Sequence, residues 1–366
     1  MRTFIIMLLI CPLFFTFACA EDIYRSAADG MGISGLEEAL PEEAKEVSGS
    51  LILNGTYDSY GAIQRLIAKV KDSLYTQLSR LWAPASKIMS LTVLCAAAGN
   101  ISNDKKIQAY ISMAACCSCS LIVTSGIDGI VNLASDALTQ LSDYSKAAIP
   151  AVFTAAAATG AVVSASAKYA AVCISIEVLI SAAQRLIVPL INAYLALVMA
   201  DSIMDNTLVK TIAKIVKWAA TTLMTVITTL FGTYIAMTGL ITASTDAVAV
   251  KTTKTIISSA LPVVGGIISD ASGIVLSAAS VIKNSAGVFS LIAVCALCAG
   301  PFVAITVKML FFRISSAFAS MLPDKRLSGL LSDIGTSMGM LLGLLGCCGI
   351  MMFISFMAGI KVVTPA

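Results

Sequence analysis

Residues 284–307 read NSAGVFSLIAVCALCAGPFVAITV and contain no charged side chain. A bilayer core is crossed by about 20 predominantly apolar residues in helical form. Further charge-free stretches lie at 88–103, 107–127, 147–167, 218–245 and 334–360, and shorter ones at 186–200 and 255–269. The sequence therefore predicts an all-α, polytopic membrane protein with six to eight crossings.

The composition of the whole chain supports this class. Of its 366 residues, 58% are hydrophobic and 12% are charged, whereas soluble domains contain about 25% charged residues. The net charge of +3 is small and the sequence has no long basic run, so we expect no binding to nucleic acid. The apolar composition makes the lipid bilayer the expected partner.

Residues 1–20 have the features of a signal peptide. Arg2 precedes an apolar core over 5–17, and Ala18-Cys19-Ala20 forms a small-residue cleavage site. An uncleaved first anchor is the alternative. Cleavage would place the mature N-terminus outside the cytoplasm.

Residues 21–85 form the predicted extracytoplasmic region, which precedes a transmembrane helical domain over 86–366. The region holds an acidic stretch and then an amphipathic helix, whose apolar residues recur every three or four positions: Ile63, Leu66, Ile67, Val70, Leu74, Leu78 and Leu81. This apolar stripe predicts packing on a partner protein or on the outer membrane surface. Docking on the chain's own membrane domain is the alternative.

Loop charges predict the orientation of the crossings, because basic loops favour the cytoplasmic side. An interpretation with about eight crossings and an external C-terminus places every basic cluster inside, including Lys168. In this interpretation 128–146 is an external loop, and 169–184 and 186–202 cross separately.

The two halves of the apolar region resemble each other. Ile149-Pro150 and Leu261-Pro262 each open an apolar segment, which predicts repeat units at about 147–245 and 259–360. Repeats with short or proline-broken helices are typical of transport folds.

Three sets of residues are candidates for packing, interfacial or conduit roles. Gly335, Gly339 and Gly343 are spaced for close helix packing, with an internal partner or a second copy. Lys210, Lys214 and Lys217 share a helix face suited to the cytoplasmic leaflet. Asp270 and Lys283 interrupt apolar sequence, so they would pair and line a conduit, or lie at the headgroups on either side of a short helix.

The residue inventory argues against an enzyme. The chain contains no histidine, which excludes His-dependent nucleophile systems, HExxH zinc sites and His-ligated haem. A phosphate-binding GxxxxGK[ST] loop is also missing, and the cysteines lie in apolar sequence, where cysteine packs as a small apolar residue. We expect no catalytic residues, no cofactor and no metal.

Two linked segments carry a resemblance to a known family. LPVVGGIISDA at 261–271, followed by VIKNSAG at 281–287, resembles the signature of the stage III sporulation protein AE family of endospore-forming bacteria. The export signal, the acidic N-terminal region and the polytopic remainder agree with it. The family-typical positions are Pro262, Gly265, Gly266, Asp270, Lys283 and Asn284.

The resemblance implies a multi-span component of the channel that joins mother cell and forespore, a secretion-like complex, as its export-gate or platform subunit. It implies a location in the mother-cell membrane facing the forespore. Its partners would be an operon-encoded ATPase, ring-forming proteins and a forespore membrane protein; a homo-oligomer is left open.

Two alternatives come from other classes. A secondary transporter of a small solute would lose ion-coupled uptake with Asp270→Asn. A non-conducting membrane scaffold would tolerate Asp270→Asn and Lys283→Ala but not Gly339→Leu.

Overall fold

The computed structural model describes residues 30–49, 57–101, 105–159, 162–260, 265–322 and 325–360. Within these ranges, the side chains of 234–278 and of a few shorter stretches are outside the description. The described residues are helical, without a strand: α1 Ser34–Glu38, α2 Glu42–Ser48, α3 Ser59–Ile101, α4 Lys105–Ala158, α5 Val162–Ala182, a π-helical turn Ala183–Ile187, α6 Val188–Met204, α7 Thr207–Ala260, α8 Gly265–Ala319 and α9 Arg326–Ile360.

The predicted all-α, polytopic class is confirmed. Six helices among the described residues are long and apolar enough to cross a membrane: Ser59–Ala98, Lys106–Ala158, Tyr169–Met204, Thr207–Thr233, Ala279–Ala319 and Arg326–Ile360. Successive long helices run in opposite directions, so the turns alternate between the two ends of the bundle.

The α8–α9 hairpin forms the centre of the bundle, with the most extensive packing between any two helices. Glycines on α9 let the two backbones approach. A Cβ atom at Gly335 would lie 3.3 Å from Arg313 Cγ, and one at Gly339 would lie 3.5 Å from Met309 Sδ. Gly343 instead faces Met224 Cε on α7, at 3.3 Å. The three predicted packing glycines therefore contact two different helices of the same chain.

The predicted external loop over 128–146 is wrong, because α4 runs through it as one helix of 54 residues. The segment keeps a buried apolar stripe that includes Ile130, Ala134, Leu138 and Leu141. Asp136, Asp143 and Lys146 are exposed, and Lys146 pairs with Asp143 at 3.5 Å. In the sequence alone, the charged residues on one face of this long helix were therefore mistaken for a loop.

The two separate crossings predicted over 169–184 and 186–202 are also wrong. Val162 to Met204 forms one helical rod, interrupted only by the π-helical turn. Pro189 lies just after that turn and has no N–H to bond the carbonyl of Arg185, and a local π-turn accommodates such a lost bond. The rod starts at the end of the bundle where α4 ends, so the backbones of Lys168 and Lys105 lie at opposite ends of the bundle.

The internal repeat stays a prediction. In the first unit α4 ends at Ala158 and α6 at Met204, whereas in the second unit the described helix α8 ends at Ala319 and α9 begins at Arg326. Pro150 lies inside α4, and its predicted counterpart Pro262 lies outside the described residues.

Gly359 provides a test of the close contact between α9 and α4. A Cβ atom at Gly359 would lie 2.8 Å from Cγ1 of the buried Val152. Because a packed interior yields little, we expect Gly359→Ala to destabilise the protein by about 1–3 kcal/mol. The measurement is thermal unfolding of the detergent-purified chain.

Gly329→Ala is the matched control, because a Cβ atom there has no heavy atom within 4 Å. Alanine favours helix over glycine by up to about 1 kcal/mol, so this variant should unfold at the same or a higher temperature. Equal losses in both variants would contradict the packing described here.

Candidate functional site

A small N-terminal cap, α1 and α2, covers one end of the bundle. Helix α2 ends at Gly49, whose φ of 69° lies in the left-handed region that glycine adopts without strain. Three donors satisfy carbonyls of α2: Arg65 Nε bonds Val47 O at 3.1 Å, Lys69 Nζ bonds Glu43 O at 2.7 Å, and the Tyr57 hydroxyl bonds Ser48 O. Cationic donors at a helix C-terminus also complement its dipole.

Tyr57 fixes the cap to the hairpin as well. Its ring packs edge-on against Phe289 of α8, with centroids 5.5 Å apart. Burial raises the pKa of Tyr57 to about 12, so the hydroxyl remains a donor at alkaline pH as well as at neutral pH. The cap is therefore attached to both α3 and α8.

Three cavities, each of which shares lining residues with the next, follow the side of α3 that faces the bundle. The outermost, of about 720 Å³, lies at the acidic cap and reaches Arg65 and Phe289. The second, of about 620 Å³, is lined by polar side chains of α3 and α4: Lys69, Asp72, Ser73, Thr76, Gln77, Arg80, Asp136 and Gln140. The third, of about 190 Å³, extends from Gln77 to Ile88. We call this series the polar cleft; it runs about 35 Å along the helix axis.

Much of the apolar stripe of α3 points outward, and the charged side chains of Lys71, Asp72 and Arg80 on this helix are exposed as well. The exposed fractions are 73% for Tyr60, 62% for Ile67, 55% for Leu78 and 77% for Trp82. The amphipathic helix predicted over this region is continuous with the apolar stretch 88–103, and the boundary predicted at residue 85 falls inside α3. The helix docks on its own bundle, but the predicted apolar stripe is mostly on the outside.

The polar cleft lies beside the most apolar part of the chain. Its lining includes Ala296, Leu297, Gly300, Pro301 and Ala304 of α8, all within the charge-free stretch 284–307. Pro301 cannot donate to the carbonyl of Leu297 four residues earlier. A free backbone acceptor is thus added to the polar side chains of the cleft.

The motif positions from the sequence are only partly described. Lys283 is 4% exposed and Asn284 is exposed, one turn before Phe289. Pro262 lies outside the described residues, as do the side chains of Gly265, Gly266 and Asp270. The backbones of Asp270 and Lys283 belong to one continuous helix and lie about 20 Å apart along it, too far for a direct ion pair.

Comparison with protein families decides the classification. The family described as Stage III sporulation protein AE (spore_III_AE) matches residues 50–362. The chain belongs to this family. Membership implies a role in sporulation, and the matched range contains α3 to α9. No curated protein and no solved structure matches the chain.

A second polar cluster of the protein lies between α6, α7 and α9. It was not predicted from the sequence. The Tyr194 hydroxyl lies 3.1 Å from Asp333 Oδ1, and Lys217 Nζ lies 6.0 Å from the centre of the Tyr194 ring. Lys210 interacts electrostatically with Asp333. Of the predicted interfacial face, Lys210 and Lys214 are exposed, whereas Lys217 is half-buried.

Next to this cluster, two turns are joined at one end of the bundle. Arg326 at the start of α9 pairs with Asp205 between α6 and α7, at 2.8 Å. Asp205 has a φ of 47° and ends α6, and the Asn206 side chain accepts from Leu208 N at 2.9 Å. The turn is thus held by its own caps and by α9.

Tyr57 provides a test of the cap attachment. Tyr57→Phe keeps the ring but leaves Ser48 O without its donor, which costs about 1 kcal/mol. We expect the amides of 33–48 to exchange hydrogen roughly fivefold faster, measured by mass spectrometry on purified protein. Tyr60→Phe is the matched control, since Tyr60 lies three residues after Tyr57 and is exposed; equal exchange in the two variants would contradict the attachment.

Proposed function

We propose that this chain is a multi-span component of the mother cell–forespore channel, a secretion-like complex, and acts as its export-gate or platform subunit. The observation that carries the proposal is the polar cleft beside the apolar hairpin. Polar backbone and side chains at membrane depth are tolerated where they line a cavity. The function needs no catalytic group, and we propose none.

The two ends of the bundle differ in charge, which supports an orientation. The basic residues Lys210, Lys214, Lys217, Lys325 and Arg326 lie near the joined turns, whereas Glu37, Glu38, Glu42, Glu43 and Glu46 lie in or beside the cap. By the positive-inside tendency, the joined turns face the mother-cell cytoplasm. The cap then faces the space between the mother-cell and forespore membranes, as does the end of α9.

This orientation assigns a surface to each proposed partner. The operon-encoded ATPase is cytoplasmic, so it would meet the basic end. The ring-forming proteins and the forespore membrane protein would meet the cap. The outward stripe of α3 lies level with residues 284–307, so lipid is its proposed neighbour.

Thiol labelling tests whether the cleft holds water within a bilayer. We expect Thr76→Cys, which faces the cleft, to react with a charged maleimide in proteoliposomes. Leu78→Cys, on the outward face, should react much more slowly because lipid covers it. Peptide mapping separates these sites from the native cysteines.

The opposite order of labelling rates would contradict the proposed position of α3 in the bilayer. Leu78 is the more exposed position in the protein itself. If 59–85 lay in water, as the predicted domain boundary implies, Leu78→Cys would react faster than Thr76→Cys. Labelling of both variants in detergent shows that each thiol is present and reactive.

Sporulating cells test the function itself. We expect Thr76→Trp, which fills the cleft, to lower late forespore reporter expression to near that of a strain lacking the gene. Leu78→Trp should leave expression unchanged, because its side chain points outward. Tagged copies of both should reach the engulfing septum and co-purify with the ATPase and ring proteins.

Other outcomes would favour one of the two alternative functions, the scaffold or the solute transporter. Normal reporter expression with Thr76→Trp would contradict a conduit and favour the scaffold. An even distribution in vegetative membranes, without these partners, would contradict the channel and favour a solute transporter.

A further inference from the structure

The innermost cavity of the polar cleft differs in chemistry from the rest. It has a volume of about 190 Å³ and lies between α3, α4 and α8. Most of its walls are apolar, including Leu81, Ile88, Ile122, Phe311 and Phe312. A ligand that fills this cavity would contact these walls, so a molecule with an apolar part fits it better than an ion or water alone.

The polar side chains of this cavity can all donate hydrogen bonds, and those that are charged are positive. Gln77, Arg80 and Lys308 line it, and its lining includes no carboxylate. Arg80 and Lys308 lie close enough to interact electrostatically. Neither takes part in an ion pair among the residues that the structure describes.

Lys308 is half-buried among apolar side chains, whereas Arg80 is exposed at the edge of the cavity. Two like charges this close repel each other, and burial of Lys308 beside apolar walls costs further free energy. An anion between them would remove both costs. Guanidinium, ammonium and amide groups can all donate to its oxygens, and charge-assisted bonds of this kind are stronger than neutral ones. Basic pockets between membrane helices bind acidic lipid headgroups in this way.

We propose that this cavity binds an amphiphilic anion, with its acidic group between Arg80, Lys308 and Gln77 and its apolar chain along α3 and α8. The acidic group is a phosphate or a carboxylate. Its source is an acidic lipid of the bilayer or a free single-chain amphiphile. The site is independent of the proposed channel function, because it concerns binding by the chain itself.

The test compares the purified full chain in nanodiscs of phosphatidylcholine and in nanodiscs that also contain phosphatidylglycerol. We expect phosphatidylglycerol to raise the unfolding temperature by a few degrees. The Arg80→Gln/Lys308→Gln double variant should lose this shift. In phosphatidylcholine alone it should unfold at the same or a higher temperature than the native chain, because the repulsion is gone.

Lys71→Gln is the matched control. It removes one positive charge from an exposed position of the same helix, outside the cavity lining, so it should keep the shift. Two added probes in phosphatidylcholine nanodiscs identify the source. If dodecyl phosphate reproduces the shift, a single-chain amphiphile suffices; if only phosphatidylglycerol does, the ligand is a bilayer lipid.

Three results would overturn the proposal. The first is the absence of a phosphatidylglycerol shift in the native chain, and the second is a shift of equal size in the double variant. The third is a full shift with inorganic phosphate alone, which would show that the apolar walls have no part in binding. None of these results depends on sporulating cells, so the channel proposal is tested separately.

Discussion

The depth of the apolar hairpin in the membrane is the constraint on which the rest of the structure depends. Residues 284–307 have no charge, and α9 packs on them at Gly346 and Gly349, where an added Cβ atom would lie 3.7 Å from Phe302 and 3.3 Å from Cys298 Sγ. Lipid is as apolar as these side chains, so close packing holds the two helices together where the hydrophobic effect does not. Because α8 also packs on α3 and α4, its depth fixes theirs.

That depth explains why α3 is oriented opposite to an amphipathic helix of a soluble protein. In water the apolar stripe would be turned inward, because burial there is favourable by about 25 cal/mol per Å². Beside a hairpin in lipid this gain is absent, and polar groups on the lipid side are costly instead. The outward position of Tyr60, Ile67 and Leu78 and the inward position of Thr76 and Gln77 fit the proposed contact of α3 with lipid.

The sequence predicted the class and the apolar segments, because these depend on local hydropathy. It did not predict how the segments join into helices. The acidic face of α4 resembled a loop, and the π-turn before Pro189 resembled a crossing boundary, since charge and length alone do not distinguish them. The cleft was not predictable, because Thr76, Asp136 and Pro301 come from three distant segments that only tertiary packing brings together. Gly335 and Gly339 were visible as packing residues, but their partners were not.

The distribution of paired charges indicates where this bundle is fixed and where it can change. At the cap, Lys69 bonds α2, and at the other end Arg326 pairs with Asp205. Between these ends, Asp72, Arg80, Asp136 and Lys308 form none of the ion pairs found among the described residues. Pro84 and Pro301 lie at this same level and line the cavities. Each removes one backbone bond, and helices bend most readily where such bonds are lost. Ion pairs and hydrogen bonds therefore fix both ends of the bundle, whereas the level of the polar cleft combines charges outside those pairs with two positions where the helices lack a backbone bond.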